Sequence, residues 1–279
     1  MPSLSEKALQ FRQLHRGPNA LVLVNVWDVA SARVVEDAGF PALATTSAGI
    51  AFSLGYPDGE CISREEMVAR VARIVRAVAV PVSADIEAGY GSTLESAAAT
   101  ARALIGAGAV GMNLEDTTRD PDRRLLDLPL AIEKIKAVRA VAADMRVPLV
   151  VNARTDVYLM PGDPDAQYAE ALRRLTAFRD AGADCVFAPG LKDAATIGHL
   201  VSALQCPLNI IAMPGVPPIP ELEKLGVARV SLGSGPMRAG LGLLRQMADE
   251  LKSTGTFSAL DMAIPGPELN QLLGQKVES

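Results

Sequence analysis

The chain has 279 residues, 49% of them hydrophobic and 21% charged, with a formal net charge of −5 and a pI near 5.2. That is ample apolar material for a large globular core, and an acidic balance without a basic run leaves nucleic-acid binding no electrostatic support. Residues 1–17 lack an apolar signal core, and the three cysteines (Cys61, Cys185, Cys206) are scattered without a CxxC or Cys/His cluster. No window approaches the ~20 uninterrupted apolar residues of a membrane span. The expectation is a cytoplasmic protein with reduced thiols, no membrane contact and no nucleic-acid partner.

Eight short apolar runs follow one another along the chain. In order they are "RGPNALVLVNVWD", "EDAGFPALATTS", "VAVPVSADIEAG", "IGAGAVGMNLED", "MRVPLVVNARTD", "RDAGADCVFAPG", "LQCPLNIIAMPG" and "EKLGVARVSLGS". Odd-numbered runs are opened by proline, which a strand tolerates at its first residue. Even-numbered runs are preceded by glycine, the usual left-handed stop after a helix. Each run has strand length and turn residues at its ends.

The segments between read as helices. "SREEMVARVARIVRAVA" starts with Ser63 and Glu66 at capping-box spacing, and "STLESAAATARALIGAG" repeats the device with Ser92 and Glu95. Arg70, Arg73 and Arg76 share one helical face and read as exposed. Near-continuous apolar strands alternating with helices imply a parallel sheet covered on both faces. Eight units in about 235 residues match a (β/α)8 TIM barrel. A doubly wound open sheet is the alternative, weakened by the lack of GxGxxG after the first strand. The barrel domain is placed at 1–236 and a C-terminal helical segment at 237–279. That segment carries Leu241, Leu244, Met247 and Leu251 on one face, then Leu269, Leu272 and Leu273 after a Pro-Gly-Pro break.

Active sites of such barrels lie at the C-terminal strand ends. Those ends offer, strand by strand, Asn25, Trp27 and Asp28; Thr45, Thr46 and Ser47; Asp85 and Glu87; Asn113, Glu115 and Asp116; Asn152, Arg154 and Asp156; Ala188 and Pro189; Asn209 and Met213; Ser231, Gly233 and Ser234. Strand alternation puts Asp85 and Glu87 on one face. Asp85, Glu87 and Glu115 on one rim would repel one another unless neutralised, and an all-oxygen set favours Mg²⁺, or Mn²⁺, over zinc. Arg154 suits a substrate carboxylate or phosphate, gripped by two N–H groups; its alternative is a salt bridge to Glu115 or Asp156. Thr46 and Ser47 offer backbone N–H groups to the far end of an anion.

The ordered set "SLGYPD" (53–58), "DIEAGYG" (85–91), "NLED" (113–116) and "NARTD" (152–156) resembles the isocitrate lyase and phosphoenolpyruvate mutase superfamily over about residues 20–240. The resemblance implies a Mg²⁺-dependent barrel enzyme that works through a pyruvate-like enolate. Asp85 matches the direct metal ligand, while Glu87 (commonly aspartate), Glu115 and Asp58 match acids that reach the metal largely through water. Arg154 matches the arginine that binds the keto-acid carboxylate. Thr46 and Ser47, with Thr45 beside them, match the turn that holds the substrate, and Asn209 matches an asparagine of the lyase branch. Asp58 also matches a residue set against the phosphoryl group in the mutase branch. Members exchange C-terminal helices between subunits, which implies a homodimer or homotetramer here.

Three departures bear on the substrate. The loop "TTRDPDRRLLDLP" after the fourth strand has neither the cysteine nor the histidine of isocitrate and methylisocitrate lyases. The lyases' glutamate after the sixth strand is replaced by "FAPG". The mutases' tryptophan near strand two and histidine after strand six are also missing. The leading expectation is a Mg²⁺-dependent lyase that cleaves or decarboxylates a small 2-oxo or 2-hydroxy mono- or dicarboxylate, with Tyr90, Tyr158 or a metal-bound water as proton donor. The alternatives are C–P chemistry, as in a phosphonomutase or phosphonopyruvate hydrolase using Asp58, and a keto-acid-binding pseudoenzyme.

Overall fold

The computed structural model describes residues 2–118 and 125–275; residues 119–124, within the loop after the fourth strand, lie outside it. The helices are α1 (Leu4–Leu14), α2 (Val29–Asp37), α3 (Ser47–Ser53), α4 (Arg64–Ala77), α5 (Leu94–Gly106), α6 (Leu128–Asp144), α7 (Pro164–Asp180), α8 (Ala194–Leu204), α9 (Ile219–Lys224), α10 (Gly235–Ser253) and α11 (Gly266–Gly274). The strands are β1 (Leu21–Leu23), β2 (Asn25–Val26), β3 (Leu43–Thr45), β4 (Val82–Asp85), β5 (Gly111–Glu115), β6 (Val150–Arg154), β7 (Cys185–Phe187), β8 (Leu208–Ile211) and β9 (Arg229–Ser231).

All strands are parallel neighbours in the order β1-β9-β8-β7-β6-β5-β4-β3-β2. The eight runs are therefore eight strands, with the first interrupted at Val24. Its lower half pairs with β9 and its upper half with β3, so the ring closes as a (β/α)8 barrel. Asn25 fastens that seam. Its Oδ1 accepts from the amides of Leu232 and Gly233 at 2.8 and 2.9 Å, and its Nδ2 donates to the Thr45 carbonyl at 2.8 Å.

The glycines ahead of the even strands are helix stops as expected. Gly39, Gly108, Gly182 and Gly226 all have φ between +85° and +104°, where a side chain would be strained. Ser63 caps α4 through the Glu66 amide. The cap of α5 is Thr93, accepting from Ser96, and not Ser92 with Glu95. Two hydroxyl residues stand in succession there, and the chain turns one residue later than the spacing suggests.

Helix α1, which sequence patterning did not single out, closes the N-terminal end of the barrel. Phe11 and Ala8 are fully buried, and Phe11 fills the space above Gly111, where a Cβ would stand 2.6 Å from its ring. Helix α10 has no buried residue, and Leu241 and Leu244 are 47% and 59% exposed. Helix α11 returns to the chain's own α2: Leu272 is buried, and Arg33 donates to the Leu272 carbonyl at 3.2 and 3.3 Å. Among the described residues no helix is long and apolar enough to cross a membrane.

Candidate active site

The opening at the C-terminal ends of the strands is built around Asp85, the last residue of β4, which is buried. Its amide donates to Thr45 Oγ1 at 2.9 Å. Its Oδ2 accepts from both the amide (3.1 Å) and hydroxyl (2.8 Å) of Ser47. Its Oδ1 lies 3.4 Å from Asn113 Nδ2, and Asn113 Oδ1 in turn accepts from Asn152 Nδ2 at 2.7 Å. A ladder of buried amides thus fixes the carboxylate from inside the barrel. Arg229, fully buried on β9, extends Nη2 to 3.4 Å from the same Asn113 oxygen.

Thr45 and Ser47 therefore serve Asp85 in this conformation. Thr46 commits its N–H to the Val26 carbonyl at 3.1 Å, and its hydroxyl caps α3 through the Gly49 amide. Of the two amides expected to face an anion, only that of Ser47 is directed at the site.

Glu87 reaches the same centre by a route the sequence did not suggest. Strand β4 ends at Asp85, so alternation does not apply at residue 87; instead the backbone turns left-handed there (φ +53°). The carboxylate accepts from the amide of Glu60, whose own Oε1 accepts from the Tyr90 amide at 2.6 Å. Burial, then the charges of Asp85, Glu115, Asp58 and Glu60, push the Glu87 carboxyl up to about 9. Asp58 stands on the exposed loop between α3 and α4; partial desolvation of its carboxyl and the Asp85 charge raise it too.

On β5 and β6 the paired register Glu115↔Arg154 brings an acid and a base together. Arg154 makes both of the salt bridges foreseen as alternatives, Nη1 to Glu115 at 2.7 Å and Nε and Nη2 to Asp156 at 2.5 and 2.8 Å. Its guanidinium also lies 5.8 Å from the centre of the Phe187 ring. Burial would lower its pKa, but Glu115 and Asp156 outweigh burial and raise it. Glu115 also accepts from the Thr117 hydroxyl; its burial raises its carboxyl more than Arg154 lowers it. Behind them Asp116 accepts from the Asp156 amide at 3.1 Å and pairs with Arg174 at 3.0 Å. Asn209 sits deeper, fully buried, within 3.2 Å of Ser231 Oγ.

Asp58, Asp85, Glu87, Glu115 and Arg154 are thus brought to one opening, with Asn209 below it. Among the described residues no three His, Cys, Asp or Glu side chains converge closely enough to hold a metal as they stand, since Glu115 is turned to Arg154 and Glu87 to the Glu60 amide. The donor set still fits a hard divalent cation. It is all oxygen, it carries more negative charge than Arg154 offsets, and burial with mutual repulsion keeps the Glu87 and Glu115 carboxyls high. A cation that retains most of its waters requires only one direct carboxylate, and Asp85 is the carboxylate at the centre of this opening.

Sequence reasoning missed Glu60, the structural part of Asn113 and Asn152, and Lys134. The asparagines stood at strand ends without an assigned task. Lys134 carried a usable signal, as the charged member of the stripe Ala131, Ile135, Val138, Ala142 that α6 buries.

Known proteins resemble this chain over nearly its whole length. The family model described as phosphoenolpyruvate phosphomutase matches residues 11–252. An uncharacterised protein of Mycobacterium tuberculosis is 38% identical over 95% of this chain and 96% of its own. An oxaloacetate decarboxylase of Pseudomonas fluorescens is 30% identical over 94% of this chain and 92% of its own. Among solved structures, oxaloacetate acetylhydrolase in complex with oxalate superposes with a TM-score of 0.85 at 26% identity, covering 97% of this chain and 94% of that one. The match spans nearly the whole barrel and the strand ends just described, and the chain belongs to the phosphoenolpyruvate phosphomutase family, within the superfamily of lyases and mutases that includes isocitrate lyase.

Proposed function

We propose that this chain is a Mg²⁺-dependent carbon–carbon lyase that acts on a small 2-oxo or 2-hydroxy dicarboxylate, by decarboxylation or C–C cleavage, through a pyruvate-type enolate. The observation that carries the reading is the placement of Arg154 on the rim beside the acids. Two of its N–H groups are hydrogen-bonded to Asp156, and Nη1 lies 2.7 Å from a Glu115 oxygen; the guanidinium has five donors in all, so its terminal nitrogens keep donors for a ligand carboxylate. Mg²⁺, or Mn²⁺, held by Asp85 directly and by Glu87, Glu115 and Asp58 through water, supplies Lewis-acid charge to the substrate's oxygens when bound. Thr45 and Ser47 keep Asp85 in place, and the turn from Thr45 to Ser47 forms the wall against the substrate's other end. Asn209 is the floor of the cleft.

Two further facts favour decarboxylation or a similar cleavage. The loop after β5 has no cysteine or histidine, so chemistry that needs a thiol acid is disfavoured. Charge stabilisation by placed donors, worth roughly 3–4 kcal/mol each, is what this cleft offers. A relative named oxaloacetate decarboxylase acts on a substrate of this class, and one named 2-methylisocitrate lyase on a related hydroxy tricarboxylate. The test is a panel of 2-oxo and 2-hydroxy dicarboxylates with phosphonopyruvate, assayed for pyruvate release with Mg²⁺ and with chelator. Release from phosphonopyruvate alone would replace this reading with C–P chemistry, for which Asp58, within reach of the Asp85 and Arg154 charges, is the residue to examine. Keto-acid binding with no turnover would indicate a binding protein.

A further inference from the structure

Lys134 lies on α6, outside the ring of strand ends, and only 1% of its surface is exposed. A buried ammonium is unfavourable unless it is well bonded, and a methionine would fit the same apolar stripe without that cost. The contacts of its Nζ indicate what the charge does. It donates to the Ala88 carbonyl at 2.6 Å and to the Gly91 carbonyl at 2.9 Å. Of the two carbonyls between them, that of Gly89 accepts from the Thr100 hydroxyl of α5 at 2.9 Å, a donor it shares with the Ser96 carbonyl. Two helices thus hold three carbonyls of one turn.

That turn is the one that delivers Glu87. Glu87, Gly89, Tyr90 and Gly91 all have positive φ (+53°, +96°, +59° and +144°). Two of the four carry side chains, and such residues persist only where the surroundings impose the conformation. The turn then closes on itself through Glu60, which takes the Tyr90 amide and gives its own amide to Glu87. Glu60 and Glu115 are also the carboxylates whose charge reaches Lys134.

We propose that Lys134 is a positioning residue for the metal centre: its ammonium holds the 88–91 turn, and through Glu60 it sets where Glu87 stands. This rests on the metal reading above, and the experiment separates the two. Mn²⁺ binding is measured by electron paramagnetic resonance, without substrate, on the wild type, Asp85→Ala, Lys134→Met and Lys134→Arg. Outer partners of metal ligands typically matter by about 10- to 100-fold in affinity. Lys134→Met should therefore weaken Mn²⁺ binding at least about tenfold. Lys134→Arg, which keeps the charge and several donors, should recover most of the loss. Because Lys134 acts through Glu87, adding Lys134→Met to Glu87→Gln should cause little further loss. If the wild type binds no Mn²⁺, or Asp85→Ala binds it unchanged, the metal reading falls and the inference with it. If Asp85→Ala loses the ion while Lys134→Met binds as the wild type does, the metal reading stands and the role of Lys134 is overturned. Should Lys134→Met fail to fold by circular dichroism, Lys134→Gln is judged by the same outcomes.

Discussion

His15 makes the acid stability of this barrel predictable. The ring is buried against Phe11, edge to face at 4.9 Å, with Nδ1 2.9 Å from the Phe11 carbonyl. The carbonyl can only accept, so Nδ1 carries the proton of the neutral ring, and Nε2 is buried without a partner among the described residues. A second proton would place an unsolvated charge near Arg229. Burial first, and then Arg229, depress the His15 pKa from 6.5 to about 3. Between those values the unfolded chain binds a proton that the folded chain does not, so stability falls as pH falls through 6.5 and goes on falling to about 3. From pH 7 to pH 5 the loss due to this residue is about 2 kcal/mol, which corresponds to roughly 4–8 °C in Tm. The figure changes little if the folded value is a unit higher, because pH 5 is still above it. His15→Leu keeps an apolar contact with Phe11 and removes the titration. Differential scanning calorimetry at both pH values should show the wild type losing ~4 °C or more beyond the loss in His15→Leu; carboxylate contributions common to both cancel. Equal losses in the two proteins would refute the reasoning.

Three other outcomes are expected. Asp85→Ala should abolish turnover and Mg²⁺ dependence together, while Glu115→Ala should weaken metal binding but leave some activity; normal turnover by Asp85→Ala in chelator would remove the metal from the mechanism. Arg154→Lys should raise KM for keto acids about tenfold or more, since lysine cannot supply the planar fork; unchanged kinetics would assign Arg154 to its salt bridges with Glu115 and Asp156 alone. Deleting residues after 236 should give aggregated or unfolded protein, because α10 exposes Leu241 and Leu244 and is expected to lie against a second subunit of a homodimer or homotetramer. A monomeric, active truncation in sedimentation velocity would contradict that.

The barrel was legible because its signals are local. Proline at strand starts and glycine at helix stops report backbone geometry directly, and strand order in a (β/α)8 ring follows from chain order. The rim residues Asp85, Glu115 and Arg154 were legible for the same reason, since each closes an apolar run. Glu87 faces the opening although strand alternation does not hold at its position; the left-handed turn that carries it is hydrogen-bonded by Lys134 and Thr100, which are distant in sequence. The roles of Thr45 and Ser47 toward Asp85 were hidden likewise, because sequence shows a donor but not what accepts from it. The break at Val24 has no mark in an otherwise even apolar run.

The Asn25 seam has a consequence for how the molecule is made. The residues it joins, Asn25 and Leu232, are 207 positions apart. At ~5–20 residues per second of synthesis, the first strand waits on the order of 10–40 s for its neighbour to leave the ribosome. Throughout that interval its outer edge is an open template for another chain. Intermediates trapped before ring closure should therefore associate through the first strand, and slowing the ribosome should increase their number.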